Sequence, residues 1–194
     1  MKKKMDAMLI VTFLTQLFYS ATYPYIYKMV VVDASSNLIA AIQIINCLSV
    51  VIIGRLWNKR SDSLFKYYPL ICAIETIVSI AMAVAVTITN STVLYFICNN
   101  LIVAFVTRHI MCGGIKLKAI RYRSEKEREA FDNNNNSADA IATIIGSLIA
   151  MVVCLDFVPL LWIATIGGAI DNTSYIFIYR STIKRRKEEV RQQK

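Results

Sequence analysis

The sequence predicts an all-α integral membrane protein of six transmembrane helices with both termini cytoplasmic. Three observations predict it. Hydrophobic residues make up 56% of the 194 residues, above the ~45–50% apolar content of ordinary soluble domains. Six apolar stretches approach or exceed the roughly 20 residues needed to cross a hydrocarbon core about 30 Å thick. Of the 22 Lys and Arg, all but Lys28 and Arg108 fall in the N-terminus, two connecting loops and the C-terminal tail.

The helices are expected at about 7–27, 35–54, 69–89, 92–112, 138–156 and 158–179. Together they make a membrane domain over 1–180, followed by a basic cytoplasmic tail over 181–194. Pro69 and Pro159 fall in first turns, where a missing N–H is harmless, and Pro24 falls in the last turn of the first helix. The opening MKKKMDAMLIVTFL has the charge of a signal peptide. Its apolar run continues to Tyr27 with no A-x-A site, so a retained first helix is expected. No stretch alternates with period two, which argues against a β-barrel. Asn136 or Ser137 is the expected N-cap of the fifth helix, with Asp139 in its first turn. The preceding Asn run is expected to be flexible.

Charge sets the orientation. Lys2, Lys3 and Lys4 precede the first helix. Arg55, Lys59, Arg60 and Lys66 lie in a 54–68 loop, and six more basic residues lie in a 113–137 loop. By the positive-inside rule these segments and both termini are cytoplasmic, while Lys28 is expected in a short loop on the far side. The formal net charge of +9 is therefore a topology signal first. Nucleic-acid binding is a poor reading, because the charge is spread over separate loops beside membrane spans. Attraction of the tail to anionic membrane lipid is compatible with it. Cys47, Cys72, Cys98, Cys112 and Cys154 all fall inside expected helices and form no C-x-x-C pair, so they read as small apolar residues. With a single histidine, His109, a His/Cys metal site has no support, and no cofactor is expected. No nucleophile–base pattern or phosphate loop appears, so the chain is not expected to be an enzyme.

The stretch GRLWNKRSDSLFK, joining the second and third helices, resembles the loop pattern of the major facilitator superfamily, roughly G-x-L-[A/S]-D-[R/K]-x-G-[R/K]-[R/K]. Gly54, Leu56 and Lys59 match. Asn58 stands where the family has Asp, Ser61 where it has Gly, and Lys66 comes later than the usual basic pair. A generic basic loop obeying the positive-inside rule is the alternative. In this reading Gly54 permits close helix approach, and Asn58 caps the third helix or contacts a neighbour. The resemblance extends along the chain as one N-terminal six-helix half of a facilitator, ending in the basic link STIKRRKEEVRQQK. It implies alternating access by two halves, so a second six-helix half is expected as partner, either a second copy or another chain. The subfamily patterns are absent, so no substrate is implied.

Polar residues inside spans should face protein or water. Thr12, Thr15, Gln16, Tyr19 and Tyr23 share one face of the first helix. Gln43 and Asn46 share a face of the second, and Asn100, Thr107 and Arg108 one of the fourth. Asp139, Thr143, Gly146 and Ala150 form a small, polar stripe on the fifth. The resemblance implies that helices one, two, four and five line a central cavity. Thr12, Gln16, Tyr19, Tyr23, Gln43, Asn46, Asn100 and Arg108 are the expected cavity residues. Helix–helix packing explains any single Thr or Asn as well. Glu75 and Arg108 lie at similar depths, about 7–9 Å from the cytoplasmic ends of neighbouring antiparallel helices, so a Glu75–Arg108 pair is expected for coupling or structure. Asp171 is either a proton-coupling carboxylate or a partner for a neighbouring Thr or Asn. His109 is expected to be packed or interfacial.

The function expected is movement of a small solute by alternating access, coupled to protons, in the plasma membrane of a bacterium. The Lys-, Ile- and Asn-rich usage suggests the bacterial source. The alternatives are a substrate-binding membrane subunit of a vitamin-uptake transporter and a non-transporting accessory or immunity protein. Substrate and direction are open.

Overall fold

The structure, a computed structural model, describes residues 6–152 and 155–192. Lys2, Lys3, Lys4, Cys154 and Lys194 lie outside the described residues. Six helices account for nearly all of the rest, and no strand occurs among the described residues. They are α1 (Ala7–Asp33), α2 (Ser36–Phe65), α3 (Tyr68–Thr89), α4 (Thr92–Arg121), α5 (Glu125–Val152) and α6 (Phe157–Gln192). Four of them, α2 to α5, are long and apolar enough to cross a membrane. The other two expected spans, α1 and α6, are not among the four: α1 carries Thr12, Thr15, Gln16 and several tyrosines, and α6 carries Asp171, Asn172 and a basic end.

The helices start and stop where local chemistry satisfies their free backbone groups. The Asp6 carboxylate accepts from Met8 N at 2.9 Å, and the Ser35 and Ser91 hydroxyls accept from Leu38 N and Leu94 N. Pro69 occupies the first turn of α3. Asn90, at φ 48°, ends that helix in the left-handed region, which Asn tolerates.

Helix ends differ from expectation in four places. Pro24 lies inside α1, which runs on to Asp33, so Lys28 is helical rather than in a loop. The expected 54–68 loop is mostly helix: α2 continues to Phe65 across a kink at Arg60, and only Lys66 and Tyr67 turn the chain. The expected 113–137 loop shrinks to residues 122–124. The expected tail is the last third of the 36-residue α6.

The Asn run is helical because α5 is capped well before it. Ser124 Oγ accepts from Glu127 N at 3.2 Å, and the Glu127 carboxylate accepts from Ser124 N at 3.2 Å and Arg123 N at 3.0 Å. This is a reciprocal capping box. Asn136 and Ser137 therefore sit mid-helix, not at an N-cap. Phe131 stacks on Tyr122 with ring centroids 4.7 Å apart, and Lys118 holds Asp132 at 2.5 Å, fixing the turns just before the Asn residues. Ser124→Ala should cost about 1 kcal/mol. It should raise amide exchange in the first turn of α5, read by hydrogen–deuterium exchange, with the later turns unchanged.

Contacts define the bundle. Helix α1 packs most extensively on α5 and then α6, α3 on α6, and α2 on α4. Asp6, at the start of α1, meets Arg121 at the end of α4, while Asp33 at the end of α1 meets Thr92 at the start of α4. Those helices are antiparallel. So are α3 and α6, joined by Trp162 to Thr87 at one end and by Tyr175 against Tyr68 at the other. By contrast α1 runs parallel to α5 (Gln16 to Thr143, Tyr25 to Ala150 O), and α2 parallel to α4 (Asn46 to Asn100, Trp57 to His109). The units α1–α3 and α4–α6 thus run in opposite senses. Exchanging them maps α1–α5 onto α2–α4 and α1–α6 onto α3–α4.

Two apolar cores stack along the bundle. One gathers Ile26, Val30, Met82, Val86, Tyr95, Phe96 and Leu160. The other gathers Val11, Trp57, Tyr68, Cys72, Leu117 and Ile178. A polar layer on α1, α3, α4 and α6 lies between them. Large apolar faces remain uncovered, including Ile44, Leu48 and Ile52 on α2 and Ile144, Leu148 and Met151 on α5. Faces of this extent are not stable against water.

Candidate functional site

The polar layer surrounds an open cavity of about 650 Å³, within the 300–1,000 Å³ range of small-molecule sites. Its wall is mostly apolar and aromatic, with Phe18, Tyr19, Tyr23 and Tyr95, and carries two charged groups, Glu75 and Arg108.

Of the expected cavity residues, Gln16, Tyr19, Tyr23 and Arg108 line it. Thr12, Gln43, Asn46 and Asn100 do not. The Thr12 hydroxyl donates back to Met8 O, and Gln43 is exposed on α2. Asn46 donates to Asn100 at 3.5 Å, holding α2 against α4. A π-helical turn at Asn99–Val103 explains the misplaced asparagine. The extra residue in the turn shifts the register of α4, so Asn99 faces the cavity and Asn100 turns to α2. Such turns recur at functional sites. No residue pattern marked this one.

The expected Glu75–Arg108 pair is not formed. The oxygens of Glu75 accept from Asn172 Nδ2, from Ser79 Oγ at 3.3 Å and from Thr107 Oγ1 at 3.5 Å. Each oxygen has a protein donor, and Arg108 makes no ion pair among the described residues; its Nη1 lies 3.7 Å from Met111 Sδ. Its Nε is buried with no hydrogen-bond partner. Asp171 does meet a neighbouring Thr, accepting from Thr15 Oγ1 at 2.6 Å. The same hydroxyl lies 2.9 Å from Val11 O. Asn172, which the sequence reading passed over, is the residue that joins α6 to α3. Its Nδ2 also donates to Thr76 Oγ1 at 3.1 Å.

His109 is packed, accepting from Trp57 Nε1 at 2.9 Å. The Gly54-led motif behaves differently from expectation. A Cβ at Gly54 would meet nothing within 4 Å, so no close approach occurs there, and Leu56, Asn58 and Lys59 are exposed within α2 rather than in a loop. Close approach is made by Gly113 against Tyr68, by Gly146 against α1 and by Gly167 against Phe18. The working part of the stretch lies later, where Ser61 and Asp62 hold Lys116 at 3.0 and 2.5 Å. The end of α4 is a hub. Lys116 ties it to α2, Lys118 to Asp132 of α5, and Arg121 to Asp6 at 3.1 Å and to Thr182 of α6. Arg123, just past it, pairs with Glu189. No group of His, Cys, Asp and Glu suited to a metal ion occurs among the described residues.

No protein-family model, curated protein or solved structure matches the chain.

Proposed function

We propose that the chain is one six-helix half of a solute transporter of the major facilitator type, crossing the plasma membrane six times with both termini in the cytoplasm. The observation that carries this reading is the pair of inverted three-helix units with a cavity, carrying Glu75 and Arg108 on its wall, between two apolar cores. Inverted repeats that place a binding site near mid-membrane are the architecture of alternating access. The charged hub at the ends of α2, α4 and α6 is the cytoplasmic end by the positive-inside rule. Lipid tails cover the apolar faces of α2 and α5. The polar residues of α1 and α6 tolerate membrane depth because the two helices pack in the bundle and border the cavity.

One face of α1 asks for a further partner. Tyr19, Tyr23 and Tyr27 form a stacked ladder, with centroids 4.6 and 6.0 Å apart, and all three are exposed. Their hydroxyls would meet acyl chains unless a second six-helix unit closed over them. Two carboxylates, Glu75 and Asp171, held among neutral donors and without an ion pair among the described residues, support proton coupling. Native mass spectrometry of the chain released from nanodiscs tests the assembly. A dimer is expected. A monomer without ligand overturns self-pairing, and a monomer carrying a tightly held small molecule favours a binding subunit for a separate ATPase.

A further inference from the structure

We infer that the cavity takes a small organic anion with an aromatic or apolar body, and that Arg108 is its anchor. The inference rests on reading the cavity as a solute site. Among the described residues, Arg108 is the one cation lining the cavity, and it makes no ion pair. It sits 16 residues into α4 and eight residues before Lys116 of the charged hub, about 24 and 12 Å at ~1.5 Å per residue. A guanidinium inside a span is retained at considerable cost and points to a functional partner. The nearest groups do not supply one. Met111 offers only a thioether sulfur, and Nε has nothing. A guanidinium has five N–H donors arranged to match a carboxylate or phosphonate face.

The other charged group on the wall decides between an anion and a zwitterion. Glu75 would take an ammonium if its oxygens were free. Each already has a neutral protein donor, Asn172 on one and Ser79 and Thr107 on the other. The protein satisfies its cavity acid and leaves its cavity base open, so the unmatched charge belongs to an anion. Phe18, Tyr19, Tyr23 and Tyr95 supply the surface for the rest of the molecule. Their ring faces favour a flat, apolar or aromatic body.

Thermal unfolding of the full chain in nanodiscs, titrated with benzoate, benzylamine, benzyl alcohol and phenylalanine, tests this. Benzoate should raise the unfolding temperature, and benzylamine and benzyl alcohol should not. Arg108→Gln should weaken benzoate by at least about tenfold, as loss of a charge-assisted contact implies, and Arg108→Lys should keep part of the affinity. The ranking of ligands on the unaltered protein needs no variant, so poor folding of one would not blunt the test. Stabilisation by benzylamine, tighter binding of phenylalanine than of benzoate, or unchanged benzoate affinity in Arg108→Gln would each overturn the assignment. Flux in sealed vesicles separates this from the transport reading. Benzoate bound but never carried across leaves the anchor standing and removes the transporter, whereas carriage of a cation without benzoate binding does the reverse.

Discussion

Gly146→Val should abolish recovery of folded protein, and Gly146→Ala should lower stability by about 1–2 kcal/mol. The reason is the α1–α5 contact, the most extensive in the bundle. A Cβ at Gly146 would lie 2.8 Å from Leu17 O, 2.8 Å from Ser20 Cβ and 3.1 Å from Ala21 N. These are mostly backbone atoms of α1, which cannot rotate away. Overpacking costs roughly 1–3 kcal/mol, and a contact against backbone belongs at the upper end. Alanine recovers about 1 kcal/mol of helix propensity, so its net effect stays unfavourable but survivable. Valine adds two further methyls to the same contact and has no such margin. Gly54→Ala is the control, since it has the same chemistry with nothing within 4 Å, and it should be neutral or stabilising by up to ~1 kcal/mol. Size-exclusion profiles and unfolding temperatures in one detergent decide the matter. A Gly146→Val protein that melts with the parent would remove this account of the interface.

The sequence showed the six helices and which ends carry the charge, because both follow from local composition. Apolar runs find membrane-crossing stretches, and clusters of Lys and Arg find one end of the bundle. Helix ends were less legible. Hydropathy measures fitness for lipid, not for helix, and the segments read as loops are rich in Lys, Arg, Leu and Glu, which form helices readily in water. The capping box at Ser124 was visible as S-x-x-E. It was missed because the Asn run looked like a boundary. The cavity was half legible. Gln16, Tyr19 and Tyr23 share a face by simple periodicity, but the π turn in α4 shifts the register that periodicity assumes. Pairing Glu75 with Arg108 used charge alone. The structure meets the carboxylate's demand with amide and hydroxyl donors, and such partners leave no mark in a list of charges. Asn172, next to Asp171, is a neutral amide and leaves no mark in a reading by charge.

Asn172→Leu should be the most damaging change that keeps volume nearly constant. Asn172 is 3% exposed and bridges Glu75 and Thr76 across the α3–α6 contact. Leucine fills the space but donates nothing, so one Glu75 oxygen is left without a partner inside the bundle. Stranding a buried carboxylate costs about 2–4 kcal/mol, depending on its charge. Removing both partners with Asn172→Leu and Glu75→Leu together should be far milder, since a matched apolar pair leaves nothing unsatisfied. The double-mutant cycle should therefore show strong coupling between the two positions. Strictly additive losses would mean that Asn172 does not serve Glu75. Glu75→Gln separates stability from transport. The glutamine keeps an oxygen for Ser79 and Thr107, and Asn172 can turn its amide to present an oxygen to the new NH2 group, so the protein should fold. It has no proton to give up, so solute movement should lose its dependence on the pH gradient. Full gradient-driven transport by Glu75→Gln would place the coupling proton elsewhere, and Asp171, on the adjacent residue of α6 and bound to Thr15, would be the position to change next.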